Sequence, residues 1–508
     1  MTRTVQGSKQ NDSALKGHDS PASPASSRFR LGIRPTMLVP LIVACALFME
    51  HVDATVITTS LPMIARDLGV APIVLKLGLT SYLVSLAVFI PVSGWLTDRI
   101  GGRIVFCSAI ATFMVSSMLC GVARSFGFFV AARFLQGIGG AMMVPVGRIV
   151  IVRTVSRDEL VTALNYLTVP ALLGPLCGPP LGGFITTYWH WRWIFFINVP
   201  ISILGIFLAL RYMDNVRESE VAPLDTSGFV LSAIGLSVLM FGLSAITEDV
   251  VPRMLAAACV VFGAAITYIY YRLARRKQRP LLEFDLLKIP TFWVGVGGGS
   301  LFRIGIGAMA LLLPLLLQLG FGLTPLQSGM LTCASAIGAL FIKSIIKLFL
   351  RLYGFRRLLL VNSVFASATV AAMGLFTAST AHWLIFAVLV ITGCFRSMQF
   401  TALNAITYAE IPDHRVSAAT SMFATVQQLS LGVGVTMGAF ALQASNFLQG
   451  HQKIVAGDFW PAFLVLGFIA MTSAYSISKL SPNAGADMAG RSQPKPELET
   501  VGMSQNAE

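Results

Sequence analysis

The stretch GWLTDRIGGR, Gly94 to Arg103, decides how this chain folds, because it places charges between two long apolar segments. Asp98, Arg99 and Arg103 interrupt residues that could otherwise remain in hydrocarbon, so they predict a short charged turn between two membrane-spanning helices. Gly94 and Gly101 would let the helices approach closely and turn sharply. Asp98 is expected to accept hydrogen bonds from a neighbouring helix end or an arginine. The alternative is an ordinary cytoplasmic turn.

The composition supports a membrane protein over the whole chain. Of the 508 residues, 55% are hydrophobic and 12% are charged, whereas soluble domains carry roughly 25% charged residues. Apolar segments of about 20 residues recur, which is the length of a spanning helix, and backbone groups in a bilayer are satisfied within helices. The predicted fold class is therefore an all-α polytopic membrane protein. The fourteen predicted spans are 38–60, 76–97, 104–123, 126–150, 161–185, 194–212, 228–247, 254–271, 291–317, 325–349, 358–378, 382–407, 417–443 and 459–478.

The net charge of +14 indicates orientation rather than a nucleic-acid partner. With the N-terminus in the cytoplasm, Lys and Arg concentrate on cytoplasmic segments, as the positive-inside rule requires. Residues 1–36 are too hydrophilic for a signal peptide, and residues 481–508 are similarly polar. Both tails are predicted to be disordered and cytoplasmic.

The spans divide as six, two and six, with a partial repeat of the charged turn. After the tenth span the chain reads FLRLYGFRRLLL (349–360), in which Gly354 aligns with Gly101 and Arg351 stands where Asp98 would be. This repetition predicts two six-helix halves around an inserted two-helix hairpin and basic linker, with a substrate cavity between the halves. The predicted boundaries are 37–215, 216–288 and 289–480.

Two acidic residues, Glu50 and Asp53, lie deep in the first span. A charge at the bilayer centre costs about 2.5–3.5 kcal/mol, so these carboxylates should face a cavity or a partner. At a spacing of three residues they share a helical face, about 4.5 Å apart along the axis, which suits loading and release of a proton. Arg133 lies at the depth of Asp53 in the fourth span, so the two can pair. The alternative is that both acids satisfy a structural arginine.

Several stretches resemble motifs of the major facilitator superfamily of secondary transporters. They are the turn at 94–103, RFLQGIGG (133–140), GPLCGPPLGG (174–183), DATVITTSLP (53–62) and WRWIFFINVP (191–200). The last two resemble the fourteen-helix drug:proton antiporters. The resemblance implies proton coupling at Arg133. It also implies export, because the antiporter motif of the fifth helix is matched by Gly174, Gly178, Pro179, Gly182 and Gly183. We also expect Asp98 to act as a gate latch at the cytoplasmic face, with Arg99 and Arg103 holding neighbouring helix ends.

The second half carries cations without deep acids. Arg303 and Arg396 are candidates to face the cavity, where they would favour anionic or zwitterionic substrates; the alternative is that backbone carbonyls hold them. Polar neighbours that could line the same cavity are Gln136, Gln399, Asn404 and Gln427.

These features predict a proton-coupled antiporter that exports small amphipathic compounds across the cytoplasmic (inner) membrane by alternating access. The alternative is a dedicated exporter of one metabolite or an anionic siderophore. The chain has no Ser/His/Asp set, Walker pattern or Cys/His cluster, so we expect no enzyme activity, cofactor or metal, with the proton gradient as energy source. The predicted partners are a small-molecule substrate, protons and the lipid bilayer, with the chain acting as a monomer; a periplasmic accessory protein is left open.

Overall fold

The computed structural model describes residues 35–155, 157–218, 221, 223–246, 251–277, 280–412, 415–486 and 488. Every regular element in these ranges is helical. Most of the two predicted polar tails falls outside them. The long helices are α1 (Pro35–Asp67), α2 (Lys76–Ile100), α3 (Gly102–Val122), α4 (Phe126–Thr154), α5 (Arg157–Tyr188), α6 (Trp193–Tyr212), α7 (Thr226–Ala245), α8 (Arg253–Ala274), α9 (Pro290–Gly320), α10 (325–353), α11 (355–375), α12 (His382–Thr407), α13 (Val416–Leu448) and α14 (Phe459–Ser478).

Each predicted span coincides with one of these long helices. Within the described ranges, 12 helices are long and apolar enough to cross a membrane. One of the 12, Pro325–Leu375, comprises both α10 and α11, and α5 is a further helix of 32 residues. The fold class is therefore an all-α polytopic membrane protein, while fourteen membrane crossings stay a prediction.

The two turns that the sequence aligned have the same backbone character. Gly101 ends α2 with a φ of +107°, and Gly354 divides α10 from α11 with a φ of +72°. Only glycine adopts this left-handed region without strain, which explains its presence at both turns. Gly94 is different: a Cβ built there would meet nothing within 4 Å, so the close helix approach predicted at Gly94 is absent.

An arginine follows each turn glycine by two residues and holds the end of a later helix. Arg103 Nη1 donates to the Met213 carbonyl after α6, at 3.4 Å. Arg356 Nη2 donates to the Ser478 carbonyl at the end of α14, at 3.0 Å. The first six and the last six helices therefore share a backbone turn and the cation that satisfies a helix C-terminus.

Side-chain caps define where several helices begin. Ser125 accepts from Phe128 N–H at the start of α4, and Thr324 forms a capping box with Gln327 at the start of α10. These oxygens satisfy backbone donors that have no partner inside the helix.

Helix packing separates the chain into two groups joined along two seams. In the first group α1 packs against α4, α5 and α6, and α4 packs against α2 and α3. In the second, α12 packs against α10 and α11, and α9 packs against α13 and α14. The seams between the groups are formed by α2 with α13 and by α5 with α10.

The two remaining helices, α7 and α8, pack against each other beside the seam between α2 and α13. The Ser244 hydroxyl of α7 lies 2.8 Å from Thr436 Oγ1 of α13 and donates to Thr80 Oγ1 of α2 at 3.5 Å. This pair of helices therefore contacts both groups rather than extending one of them.

The start of α7 is fixed by Asp225. Its carboxylate accepts from Gly228 N–H at 2.9 Å and pairs with Lys277, which follows α8. Burial alone would raise the pKa of Asp225, but the hydrogen bonds from Lys277 and Gly228 outweigh it, so this pKa lies below its usual range. One carboxylate thus ties the two ends of the α7–α8 pair together.

Candidate functional site

Asp53 lies at the centre of a buried polar cluster that joins three helices. Its Oδ2 accepts from Arg133 Nη1 of α4 at 2.9 Å, and both side chains are 1% exposed. Its Oδ1 accepts from Gln136 Nε2 of α4 at 3.0 Å and from Asn198 Nδ2 of α6 at 2.7 Å. We call Asp53, Arg133, Gln136 and Asn198 the Asp53 cluster. The structure thus brings Asp53 and Arg133 together, as their equal depth allowed.

The surroundings of the cluster hold the arginine in place. The Arg133 guanidinium lies 4.5 Å from the centre of the buried Tyr82 ring of α2, which is a cation–π contact. Arg133 Nη1 also donates to Gln136 Oε1. Removing one partner of a buried ion pair of this kind destabilises the folded protein by about 3–5 kcal/mol, because the other charge stays buried without a partner.

Glu50 lies one turn before Asp53 but has no comparable partners. It is 7% exposed, and its Oε2 makes no hydrogen bond with the described residues. The Tyr82 hydroxyl of α2 faces Gly140 together with Glu50 Oε1, and the Glu50 and Tyr82 side chains interact. Of the two deep acids, Asp53 therefore forms the ion pair that links α1 to α4, whereas Glu50 meets a neutral hydroxyl of α2.

The sequence prediction missed Asn198, Tyr82 and their roles. Asn198 also donates to Ser117 Oγ of α3 at 3.0 Å, so one amide connects α3 and α6 to Asp53. A single amide within the apolar run IFFINVP was the signal that could have indicated it.

The glycine motif of α5 lies where that helix contacts two neighbours. A Cβ at Gly174 would lie 2.4 Å from His51 Cβ, one at Gly178 would lie 1.9 Å from Thr55 Oγ1, and one at Gly182 would lie 2.4 Å from the Val56 carbonyl oxygen, all in α1. These three glycines let α1 and α5 pack closely.

The rest of the motif faces the second group of helices. A Cβ at Gly183 would lie 2.4 Å from the Pro325 carbonyl oxygen, and one at Gly329 of α10 would lie 2.2 Å from the Pro179 carbonyl oxygen. The end of the motif is therefore part of the seam between α5 and α10.

The charged turn forms a network at the ends of α2, α4 and α6. Asp98 Oδ1 accepts from Arg153 Nη2 of α4 at 2.7 Å, and the same nitrogen lies 3.0 Å from Glu218 Oε1. The Asp98 carbonyl accepts from Glu218 N–H at 3.0 Å. Arg99 does not hold a neighbouring helix end in this network; its guanidinium lies over the Trp95 ring of its own helix, at 5.3 Å.

The second group carries a fully buried cation. Arg303 of α9 is 0% exposed and donates to the Gly295 carbonyl at 3.3 Å and to Asn404 Oδ1 of α12 at 3.4 Å. Its guanidinium lies 4.7 Å from the Phe423 ring centre. A backbone carbonyl is thus one partner of Arg303, as one of the two alternatives predicted, while a position facing the cavity stays a prediction.

The comparisons with known proteins agree with this architecture. The family model described as Major Facilitator Superfamily matches residues 43–435. A relative from Cronobacter sakazakii, provisionally named multidrug resistance protein MdtD, is 35% identical over 454 residues, which cover 87% of this chain and 95% of the relative. A Klebsiella pneumoniae relative with the same name is 34% identical over 458 residues, covering 90% of this chain and 94% of the relative. The chain belongs to the major facilitator superfamily.

Solved structures show the same superfamily fold. A D-xylose–proton symporter matches with a TM-score of 0.65 and 14% identity, over 89% of this chain and 99% of the symporter. A POT family transporter matches with a TM-score of 0.65 and 13% identity, over 87% of this chain and 94% of that chain. This member of the superfamily is therefore a multi-pass membrane transporter and not an enzyme.

The polar residues predicted to line the transporter's cavity fall into two classes. Gln136 is fully buried within the Asp53 cluster, and Gln399 is fully buried and accepts from Asn362 Nδ2 at 2.7 Å, so neither lines an open cavity. Arg396 and Gln427 are partly exposed, and Asn404 is exposed. Gln136 and Gln399 thus form hydrogen bonds with buried groups between helices. The sequence alone does not distinguish this role from lining a cavity.

We expect Asp98→Asn to slow turnover of this transporter, because Arg153 would lose the charged partner that joins the ends of α2 and α4 and keep only Glu218. Arg153→Gln should slow it to a similar extent, since it removes the other half of the same bond. Arg99→Gln is the matched control, because Arg99 lies outside the network. The measurement is the initial transport rate per protein in liposomes. An unchanged rate in Asp98→Asn would contradict a gating role for this turn.

Proposed function

We propose that this transporter is a proton-coupled antiporter of the fourteen-helix drug:proton branch, which exports small amphipathic compounds across the cytoplasmic membrane. The observation that carries the proposal is the buried Asp53 cluster, in which one carboxylate holds α1 against α4 and α6. The printed name of the relatives supports drug-like substrates. We also propose that both termini lie in the cytoplasm, as the distribution of Lys and Arg predicts.

Protonation of Asp53 would change helix contacts as well as charge. A neutral carboxyl forms weaker bonds than a carboxylate with the Arg133 guanidinium and with the two amides of the cluster. Each bond connects α1 to another helix, so a proton on Asp53 loosens α1 and shifts the balance between two conformations of the helix groups. The proton gradient then supplies the energy, without a cofactor.

Alternating access would require the seam between α5 and α10 to open. At the side predicted to face outward, Gln318 Nε2 of α9 donates to the Thr59 carbonyl of α1 at 2.8 Å, and Leu326 N–H of α10 donates to Thr187 Oγ1 of α5 at 3.1 Å. These bonds join the two helix groups and would have to break for this side of the seam to open. We propose that the groups correspond to the halves 37–215 and 289–480, with 216–288 as the inserted hairpin and linker.

The test uses inverted membrane vesicles in which an imposed proton gradient drives uptake of the compound. A panel of amphipathic anions, cations and neutral compounds is measured with the gradient present and after its collapse by a protonophore. Gradient-dependent uptake of several compounds supports the proposal, and uptake of a single compound supports a dedicated exporter instead. Uptake that is unchanged by the protonophore would contradict proton coupling.

A further inference from the structure

The last six helices carry positive charge that no acid of their own can neutralise. The sequence of α9 to α14 contains no Asp or Glu, yet Arg303 lies in α9 and Arg396 near the middle of α12. In the first six helices the comparable cation, Arg133, pairs with Asp53. A membrane-embedded cation without a counter-ion is costly, which makes an anionic ligand the natural partner.

Arg303 is the buried member of this pair of cations. Its two hydrogen bonds, at 3.3 and 3.4 Å, are long for charge-assisted bonds, and its Nε has no partner among the described residues. No ion pair joins it to an acid in the described part of the chain. The positive charge of Arg303 is thus spread over aromatic rings and neutral oxygens.

Arg396 is the accessible member. Its side chain is partly exposed, and no hydrogen bond or ion pair connects it to another described residue. It lies about 140° round α12 from Ile391, the exposed apolar residue on the outside of that helix. Arg396 therefore lies away from the face of α12 that meets lipid.

An aromatic surface connects the two cations. Phe400 follows Arg396 by one helical turn, about 6 Å along the axis. The ring of Phe400 lies 5.6 Å from the Arg303 guanidinium carbon and contacts the Phe302 ring edge-on, with centres 5.9 Å apart. A ligand with a charged group at Arg396 would therefore place an apolar body against Phe400.

We propose that Arg396 binds the anionic group of the transported compound, with Phe400 contacting its apolar body and Arg303 adding a second positive charge behind the ring. The substrate class is an amphipathic anion, such as a carboxylate on an aromatic body. This inference rests on the proposed export function and names the substrate chemistry of its cavity. An amphipathic cation would instead be repelled from this side of the cavity.

The experiment compares two probes that share a ring system and differ in charge. Full-length protein in lipid nanodiscs is titrated with 4-(1-pyrenyl)butyrate and with trimethyl(1-pyrenylmethyl)ammonium, and pyrene fluorescence is corrected with empty nanodiscs. We expect the butyrate to bind more tightly than the ammonium probe. Arg396→Gln should weaken butyrate binding by about tenfold or more, because a charge-assisted bond is lost. Arg396→Lys should lose less, since it keeps the charge.

Lys343→Gln is the matched control, because it removes one exposed positive charge from another helix of the same group, α10. Equal butyrate affinity in wild type and Arg396→Gln, an equal loss in Lys343→Gln, or tighter binding of the ammonium probe would each overturn the proposal. Thermal unfolding checks that the variants fold; if Arg396→Gln does not, Phe400→Leu takes its place, and unchanged butyrate affinity in that variant would overturn the proposal.

Failure of this inference and failure of the proposed function are distinguishable. Binding is measured without a proton gradient, and Asp53→Asn keeps both Arg396 and Phe400. Arg396-dependent binding in a protein that shows no gradient-driven transport would support the anion site and refute antiport. Gradient-driven transport together with butyrate binding that does not depend on Arg396 would support antiport and refute the anion site.

Discussion

Asp53→Asn is expected to reduce gradient-driven export to the level of protein-free liposomes. The amide of asparagine cannot take up and release a proton near neutral pH, so transport is no longer coupled to the proton gradient. The oxygen of asparagine can still accept from Asn198 and Gln136, which lie 2.7 and 3.0 Å from the carboxylate in the wild type. The decrease in gradient-driven export should therefore be larger than any decrease in the amount of folded protein. The measurement is uptake driven by an imposed proton gradient, beside exchange of labelled and unlabelled substrate at equal pH.

Glu50→Gln is the matched control for this variant, because it neutralises the neighbouring acid of the same helix. Unlike Asp53, Glu50 forms no ion pair with the described residues, so its neutralisation leaves the Asp53–Arg133 bond between α1 and α4 intact. We expect Glu50→Gln to keep most gradient-driven export. Equal loss of export in the two variants would contradict the assignment of Asp53 as the coupling residue.

Arg133→Ala is expected to destabilise the folded protein by about 3–5 kcal/mol, because it leaves a buried carboxylate without its ion-pair partner. The variant also loses the contact of the guanidinium with the Tyr82 ring, 4.5 Å away. Arg133→Lys should recover part of the loss, since it keeps the charge but not the planar fork. The measurement is the free energy of unfolding from denaturant titration in mixed micelles.

A double variant separates the ion pair from general damage to packing. Asp53→Asn combined with Arg133→Ala removes both charges, so the unpaired carboxylate is no longer present. We expect the double variant to be more stable than the sum of the two single losses implies, by about 0.5–3 kcal/mol. Strict additivity would show that the two side chains do not interact, and Arg133 would then be a packing residue only.

The sequence by itself determined the all-α membrane fold, because apolar length sets where a chain can cross a bilayer. It also determined the two turns, since Gly101 and Gly354 each follow a span and precede basic residues. The depth of Asp53 and Arg133 followed from counting residues along each helix, and this was sufficient to suggest that they meet.

Only the tertiary structure decided which faces of the helices meet. It placed Asn198 beside Asp53, and it buried Gln136 and Gln399 between helices instead of in a cavity. It also showed that Gly183 faces α10, whereas Gly94 faces open space. The physical reason is that sequence gives the depth of a residue along its helix, while the rotation and neighbours of that helix depend on packing across the whole bundle.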